Sequence, residues 1–137
     1  MPITSITDPG RRVVFTNCTG LLTMAEVAEF CVQLAQDPAF DPAFSHLNDL
    51  SAVSDIQVSF QELKTFITQK LDPFSETSRR VFVAGQPLVF GMARMYENLI
   101  NHPNFAVVQT LEEGRRHLGL EPEMTRHPSS RRGESAP

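Results

Sequence analysis

The apolar positions of this chain change spacing several times, and each change marks a new element. Ile3–Ile6 and Val13–Cys18 read as two strands joined through Asp8-Pro9-Gly10. Proline presets the first turn position there and Gly10 is expected to take the positive φ of a type II turn, giving an antiparallel hairpin. Thr23-Met24-Ala25-Glu26 then forms a capping box, and Met24, Val27, Cys31, Leu34 and Ala35 recur at helical spacing until Asp37-Pro38 stops the helix. His46–Leu50 reads as a short strand. Ser59-Phe60-Gln61-Glu62 is a second capping box, opening a helix whose predicted apolar face is Phe60, Leu63, Ile67 and Leu71. Val81–Ala84 and Phe105–Val108 are short continuous apolar runs, as in strands covered on both faces. Between them Pro87 suits the first turn of a helix with Leu88, Met92, Met95, Tyr96, Leu99 and Ile100 as its apolar face. Thr110-Leu111-Glu112-Glu113 caps a last helix that ends near Gly119.

Strands that alternate with helices in this order imply an α/β fold. The expected sheet has five strands and is mostly parallel, with an N-terminal antiparallel hairpin and four flanking helices joined by right-handed crossovers. Residues 1–120 make one domain on this reading. From Glu121 the chain has prolines, paired serines and mixed charge without apolar periodicity, so 121–137 reads as a disordered tail.

Composition narrows the function classes. A chain of 137 residues with 41% hydrophobic residues buries roughly two-thirds of its unfolded surface and needs no metal or disulfide to hold a core. The net charge of -4 argues against general nucleic-acid binding, which rests on many phosphate-neutralising side chains. No apolar run approaches the ~18 residues of a membrane span, and the first residues show no basic region followed by a continuous apolar stretch, so export by a classical signal is not expected. Cys18 and Cys31 have no C-x-x-C spacing and read as two reduced, buried thiols in a cytoplasmic protein.

Candidate chemistry is sparse. No G-x-G-x-x-G or G-x-x-x-x-G-K-[ST] run cradles a phosphate, and no G-x-S-x-G elbow occurs. His46, His102, His117 and His127 are scattered, so neither a metal nor a cofactor is expected. Asp37 and Asp41, each followed by proline, read as two turns aiming Phe40 and Phe44 into the lower edge of the core. Ligands of open α/β sheets bind beyond the carboxyl ends of the strands. That rule makes Asp49, Ser59, Gly85 and Gln86 candidate ligand-binding residues, with Phe90, Met92, Met95 and Tyr96 as walls of an apolar cavity. Arg94 is expected to pair on the surface with Glu97 or Asn98. Arg11, Arg12, Lys70, Arg79, Arg80, Arg115 and Arg116 fall at strand starts or helix C-termini, so one end of the domain should be basic; Asp49, Asp55, Glu112 and Glu113 should mark the other.

The hairpin, the segment from Asp37 to Phe44 leading into Leu47-Asn48-Asp49-Leu50, and Phe90–Glu97 following Arg79–Ala84 resemble small bacterial STAS-like proteins. These are akin to anti-sigma-factor antagonists and are grouped with CRAL-TRIO-type lipid-carrier domains. The resemblance covers residues 3–120. In STAS antagonists an Asp-Leu strand end leads to Asp-Ser-Ser-Gly at a helix start, the second Ser being the phosphoacceptor. Asp49-Leu50 matches the approach, but the acceptor region reads Gln57-Val58-Ser59-Phe60, so Ser59 alone aligns with the phosphoacceptor. An intact box with Glu62 favours plain helix capping for it. The resemblance implies a non-enzymatic regulatory domain working through a protein partner or self-association. The alternative is a carrier or sensor holding a small apolar or lipid-like ligand between helices and sheet.

Overall fold

A computed structural model describes residues 3–120; the expected tail lies outside the described residues. The elements run β1 (Ile3–Asp8), β2 (Val13–Thr23), α1 (Met24–Ala35), β3 (Ser45–Gln57), α2 (Phe60–Thr68), β4 (Arg80–Val83), α3 (Pro87–Ile100), β5 (Phe105–Val108) and α4 (Leu111–Leu118). The sheet order is β1-β2-β3-β4-β5, with β1 antiparallel to β2 and every other neighbouring pair parallel. Because each parallel strand lies beside its predecessor, crossovers of one hand bring α1, α2 and α3 to the same face. The other face is covered by α4 over β3, β4 and β5.

Three helices begin as the sequence predicts. The hydroxyls of Thr23, Ser59 and Thr110 accept from the backbone N–H three residues on, and Glu26, Glu62 and Glu113 accept from the cap N–H in return. Gly119 ends α4 in the left-handed conformation at φ 73°, a shape glycine adopts without steric cost. At the lower edge, Asp37 and Asp41 each accept from the backbone N–H two residues on at 2.9 Å. The two turns set Phe40 edge-on to Phe44, with ring centroids 6.3 Å apart, and bury Phe44.

Four expectations need correction. The hairpin exists, but its left-handed residue is Arg12 at φ 57°, not Gly10. Arg12 N–H donates to the Pro9 carbonyl and the Asp8 carboxylate accepts from Arg11 N–H, so side-chain anchoring by Asp8 selects the turn. β3 is not a short strand ending at Leu50. It runs to Gln57 because β2 itself continues to Thr23, past irregularities between Asn17 and Thr19 and between Gly20 and Leu21, and offers it a partner as far as Thr23 opposite Gln57. The buried face of α2 is Leu63 and Phe66, leaving Phe60 half in water and Leu71 exposed. On α3 the buried residues are Val89, Ala93 and Tyr96, while Leu88 is 55% exposed. Val89 and Ala93, the smaller members of that row, let the helix approach the sheet, and Tyr96 extends it.

Candidate functional site

The helix-covered face of the sheet encloses a cavity of about 120 Å³. Its walls come from α1, α2, α3 and the inward side chains of β2, β3 and β4, among them Cys18, Leu50, Phe82, Val89, Ala93 and Tyr96. The lining is almost wholly apolar, and both cysteines are part of it. Burial, followed by nearby carboxylates (for Cys18 Asp49 then Glu26, for Cys31 Asp72), pushes each thiol up to about 12. They are therefore protonated near neutrality and behave as small apolar groups.

One end of this cavity is polar. At the starts of the strands, Thr16, His46, Asp72, Arg80 and Tyr96 reach it from β2, β3, the segment after α2, β4 and α3. Arg80 Nη2 lies 2.6 Å from Asp72 Oδ2, and the Tyr96 hydroxyl donates to the same oxygen at 2.8 Å. His46 Nε2 and Thr16 Oγ1 are 2.9 Å apart. Phe74 stacks on the His46 ring with centroids 4.4 Å apart, and the Arg80 guanidinium lies 4.9 Å from the Phe74 centroid. His46 is completely enclosed, and burial together with the Arg80 charge holds its pKa far below the usual imidazole range, so it is neutral. Burial, Asp72 and Arg80 in that order act on Tyr96, with the net effect of raising its phenol well above the ordinary value. Two nitrogens at this end, His46 Nδ1 and Arg80 Nε, have no hydrogen-bond partner among the described residues.

Of the residues the sequence singled out, Tyr96 and Met92 line the cavity, whereas Phe90 and Met95 pack beside it in the core. Asp49 lies within β3, on the opposite face of the sheet, where it borders a shallow groove with Phe15 and Leu111 and accepts from Ser51 N–H at 2.9 Å. Gly85 and Gln86 are exposed ahead of α3, and the Gln86 side chain makes no capping bond. Ser59 is exposed at the start of α2, its hydroxyl accepting from Glu62 N–H at 3.0 Å. These eight residues are thus dispersed over both faces and one end. The sequence reading did not join Thr16, His46, Asp72 and Arg80 into a site, because they lie in separate segments and Arg80 was read with Arg79 as part of a basic end. The signal that existed was polar residues at inward positions of otherwise apolar strands.

The basic end exists in topology but not as one surface patch. Arg79 Nη2 donates to the His117 carbonyl at the C-terminus of α4 at 2.6 Å, as a complement to the helix dipole should. Arg80 instead turns inward, its side chain 7% exposed and matched by Asp72. Arg11 pairs with Asp8 at 2.7 Å at the same end. Arg94 pairs with Glu97 at 2.8 Å, one of its two expected partners. Among the described residues no helix is long and apolar enough to cross a membrane.

Solved structures share this arrangement. An anti-sigma factor antagonist from Mycobacterium paratuberculosis is similar over 83% of this chain and 92% of its own, at 17% identity and a TM-score of 0.55. The anti-sigma factor antagonist SpoIIAA in its unphosphorylated form is similar over 85% of this chain and 97% of its own, at 9% identity and a TM-score of 0.50. An uncharacterized protein from Shewanella loihica with a SpoIIAA-like fold is similar over 83% and 91%, at 14% identity and a TM-score of 0.51. The chain therefore has the STAS-like, SpoIIAA-like fold. No family model matches it, and no curated protein matches it in sequence.

Proposed function

We propose that this chain is a non-enzymatic regulatory domain that binds a protein partner at the end of the sheet where β3 passes into α2. One observation carries the reading. Of six large apolar side chains left exposed among the described residues, Leu21, Phe60 and Leu88 belong to this end: Leu21 near the finish of β2, Phe60 and Leu88 in the first turns of α2 and α3. Apolar side chains gathered on a polar rim mark interaction surfaces. Ser59 stands among them, exposed at a helix N-terminus. Phosphate there would gain from the helix dipole but would displace the Glu62 carboxylate from its box, so modification would reshape this surface. Two of the fold neighbours are anti-sigma factor antagonists, which makes anti-sigma factors the partner class to try first. The test is an NMR titration of the labelled chain with the anti-sigma factors of its source. Shifts confined to Leu21, Ser59, Phe60 and Leu88, with affinity lost in Phe60→Asp, support the reading. Binding that maps elsewhere, or none at all, overturns it.

The cavity favours a second reading, a carrier or sensor for a small apolar ligand held between helices and sheet. Its observation is an apolar space with a polar end, the usual composition of a small-molecule site. Native mass spectrometry of the chain purified from its source tests it. A bound small molecule supports the reading, and a bare mass under conditions that preserve weak complexes counts against it.

A further inference from the structure

We propose that residues 121–126, the segment that follows α4, lie along β1 and β2 on the α4 face of the sheet, with Met124 over Phe15 and Ile6. That part of the face has no cover among the described residues. The register pairs Thr4 with Asn17 and Ile6 with Phe15, and these four side chains share the face with Asp49 of β3. Because α4 packs over β3, β4 and β5, a groove of about 510 Å³ is left beside it. Ile6 is 70% exposed, more than any other large apolar side chain among the described residues, so a segment that covers it gains apolar burial.

The chain leaves α4 beside this groove. The helix ends at the strand starts, where Arg79 Nη2 donates to the His117 carbonyl. Leu120 N–H donates to the Arg115 carbonyl at 2.8 Å and Gly119 N–H to that of Arg116 at 3.1 Å, a pair of bonds that turns the chain back on the helix end. Leu120 and Phe15 both pack against the cluster of Leu47, Val81 and Val83. Gly114 faces Val83 and Leu47, so α4 sits above β3 and β4, and the line between β1 and β2 is two strand spacings, roughly 10 Å, away. Four extended residues past Leu120 span roughly 13 Å, which brings Met124 over Phe15 and Ile6. Met124 is also the only large apolar residue after Leu120.

Charge runs in the complementary order along segment and groove. Arg11, which also holds Asp8 at 2.7 Å, stands at the strand starts with its guanidinium 5.3 Å from the Phe15 ring centroid. Asp49 borders the other end, opposite Asn17 on β2. The segment reads Glu121-Pro122-Glu123-Met124-Thr125-Arg126. Laid from the strand starts, it brings its two carboxylates to the Arg11 end. Arg126 lies two residues, or roughly 7 Å, beyond Met124, and Asp49 is level with the residue two beyond Phe15. Opposite charges therefore meet at both ends when Met124 stands on Phe15, which selects that register. The expectation of a structureless tail then applies only beyond this segment.

The experiment is NMR of the full chain with ¹³C-labelled methyl groups. Nuclear Overhauser contacts from the Met124 methyl to the Phe15 ring and the Ile6 methyls are expected, with intensities unchanged on dilution. In Met124→Ser, a change outside the core, the Ile6 and Phe15 resonances should shift while those of Val89 and Ala93 stay in place. Asp49→Arg should weaken the Met124 contacts, and Asp49→Arg combined with Arg126→Asp should restore them. A Met124 methyl at the shift of an unstructured chain, without contacts, overturns the proposal, as do Ile6 and Phe15 resonances that Met124→Ser leaves unmoved. Contacts found only between differently labelled copies give the face to a second copy and overturn it equally. Contacts that Asp49→Arg does not weaken overturn the charge register.

Discussion

Tyr96 and Arg80 converge on a single atom: the phenol donates to Asp72 Oδ2 at 2.8 Å and Arg80 Nη2 reaches the same oxygen at 2.6 Å. A helix, a strand start and the segment between α2 and β4 are thereby tied at the polar end of the cavity. Asp72→Asn leaves the Arg80 charge buried without its counter-ion and should cost about 3 kcal/mol in urea unfolding. Tyr96→Phe removes one hydrogen bond to a charged group and should cost about 1.5 kcal/mol. In the double variant the costs should be less than additive, because the phenol loses its ionised acceptor. Strict additivity would show that the three groups do not act as a unit.

Ser59 separates a structural role from a regulatory one. Ser59→Ala should destabilise the chain by about 1 kcal/mol, and Ser59→Asp should be nearly neutral because aspartate also caps and suits the positive end of α2. Chemical denaturation measures both. A stable Ser59→Ala protein that has lost its partner would instead make the hydroxyl a recognition group.

What the sequence displayed and what it hid follow from the range of the interactions. The capping boxes at Thr23, Ser59 and Thr110 are legible because cap and partner lie three residues apart. The parallel arrangement is legible because strand runs alternate with helical ones. The length of β3 is not, since its second half is a strand only through pairing with the continuation of β2. The α3 face was drawn from its largest residues, yet Ala93 and Val89 carry the contact and Leu88 faces water. The polar end of the cavity needs five segments at once, and no local pattern joins His46 to Asp72.

His46 gives the stability a pH dependence of known sign. Burial, then the Arg80 charge, lowers its folded pKa well below the ordinary 6.5. Below pH 6.5 the unfolded imidazole binds a proton that the folded one refuses. The contribution is therefore complete above 6.5 and is lost as pH falls from there toward the folded pKa. Stability should decline by up to ~1.4 kcal/mol per pH unit from this group. His117, lowered by burial and then by Arg79, adds in the same direction. Between pH 6.5 and 5, His46→Gln should flatten the slope, measured by urea unfolding at each pH. An unchanged slope would mean that the folded imidazole accepts its proton.

The thiols offer a check on the interior. With both pushed up to about 12 by burial, Cys18 and Cys31 should resist a disulfide reagent at pH 8 in the native chain and react together in denaturant. Fast labelling of either in the native state would show that the cavity wall opens.

Two glycines within helices allow the docking of α4 to be measured against a control. A Cβ at Gly91, in α3, would meet nothing within 4 Å, whereas one at Gly114, in α4, would stand 3.0 Å from Val83 Cγ2 and 3.6 Å from Leu47 Cδ1. Replacing glycine by alanine gains helix propensity at both, about 0.8–1 kcal/mol, so Gly91→Ala should raise stability by nearly that amount. At Gly114 the gain is opposed by contact with a strand side chain that is completely buried and has no room to turn. Gly114→Ala should fall about 1–2 kcal/mol below Gly91→Ala, and Gly114→Leu should lift α4 from β3 and β4 and cost about 3 kcal/mol. Thermal and urea unfolding of the three variants decide it. Equal stabilisation by the two alanines would mean that α4 rides further from the sheet than the Val83 contact requires.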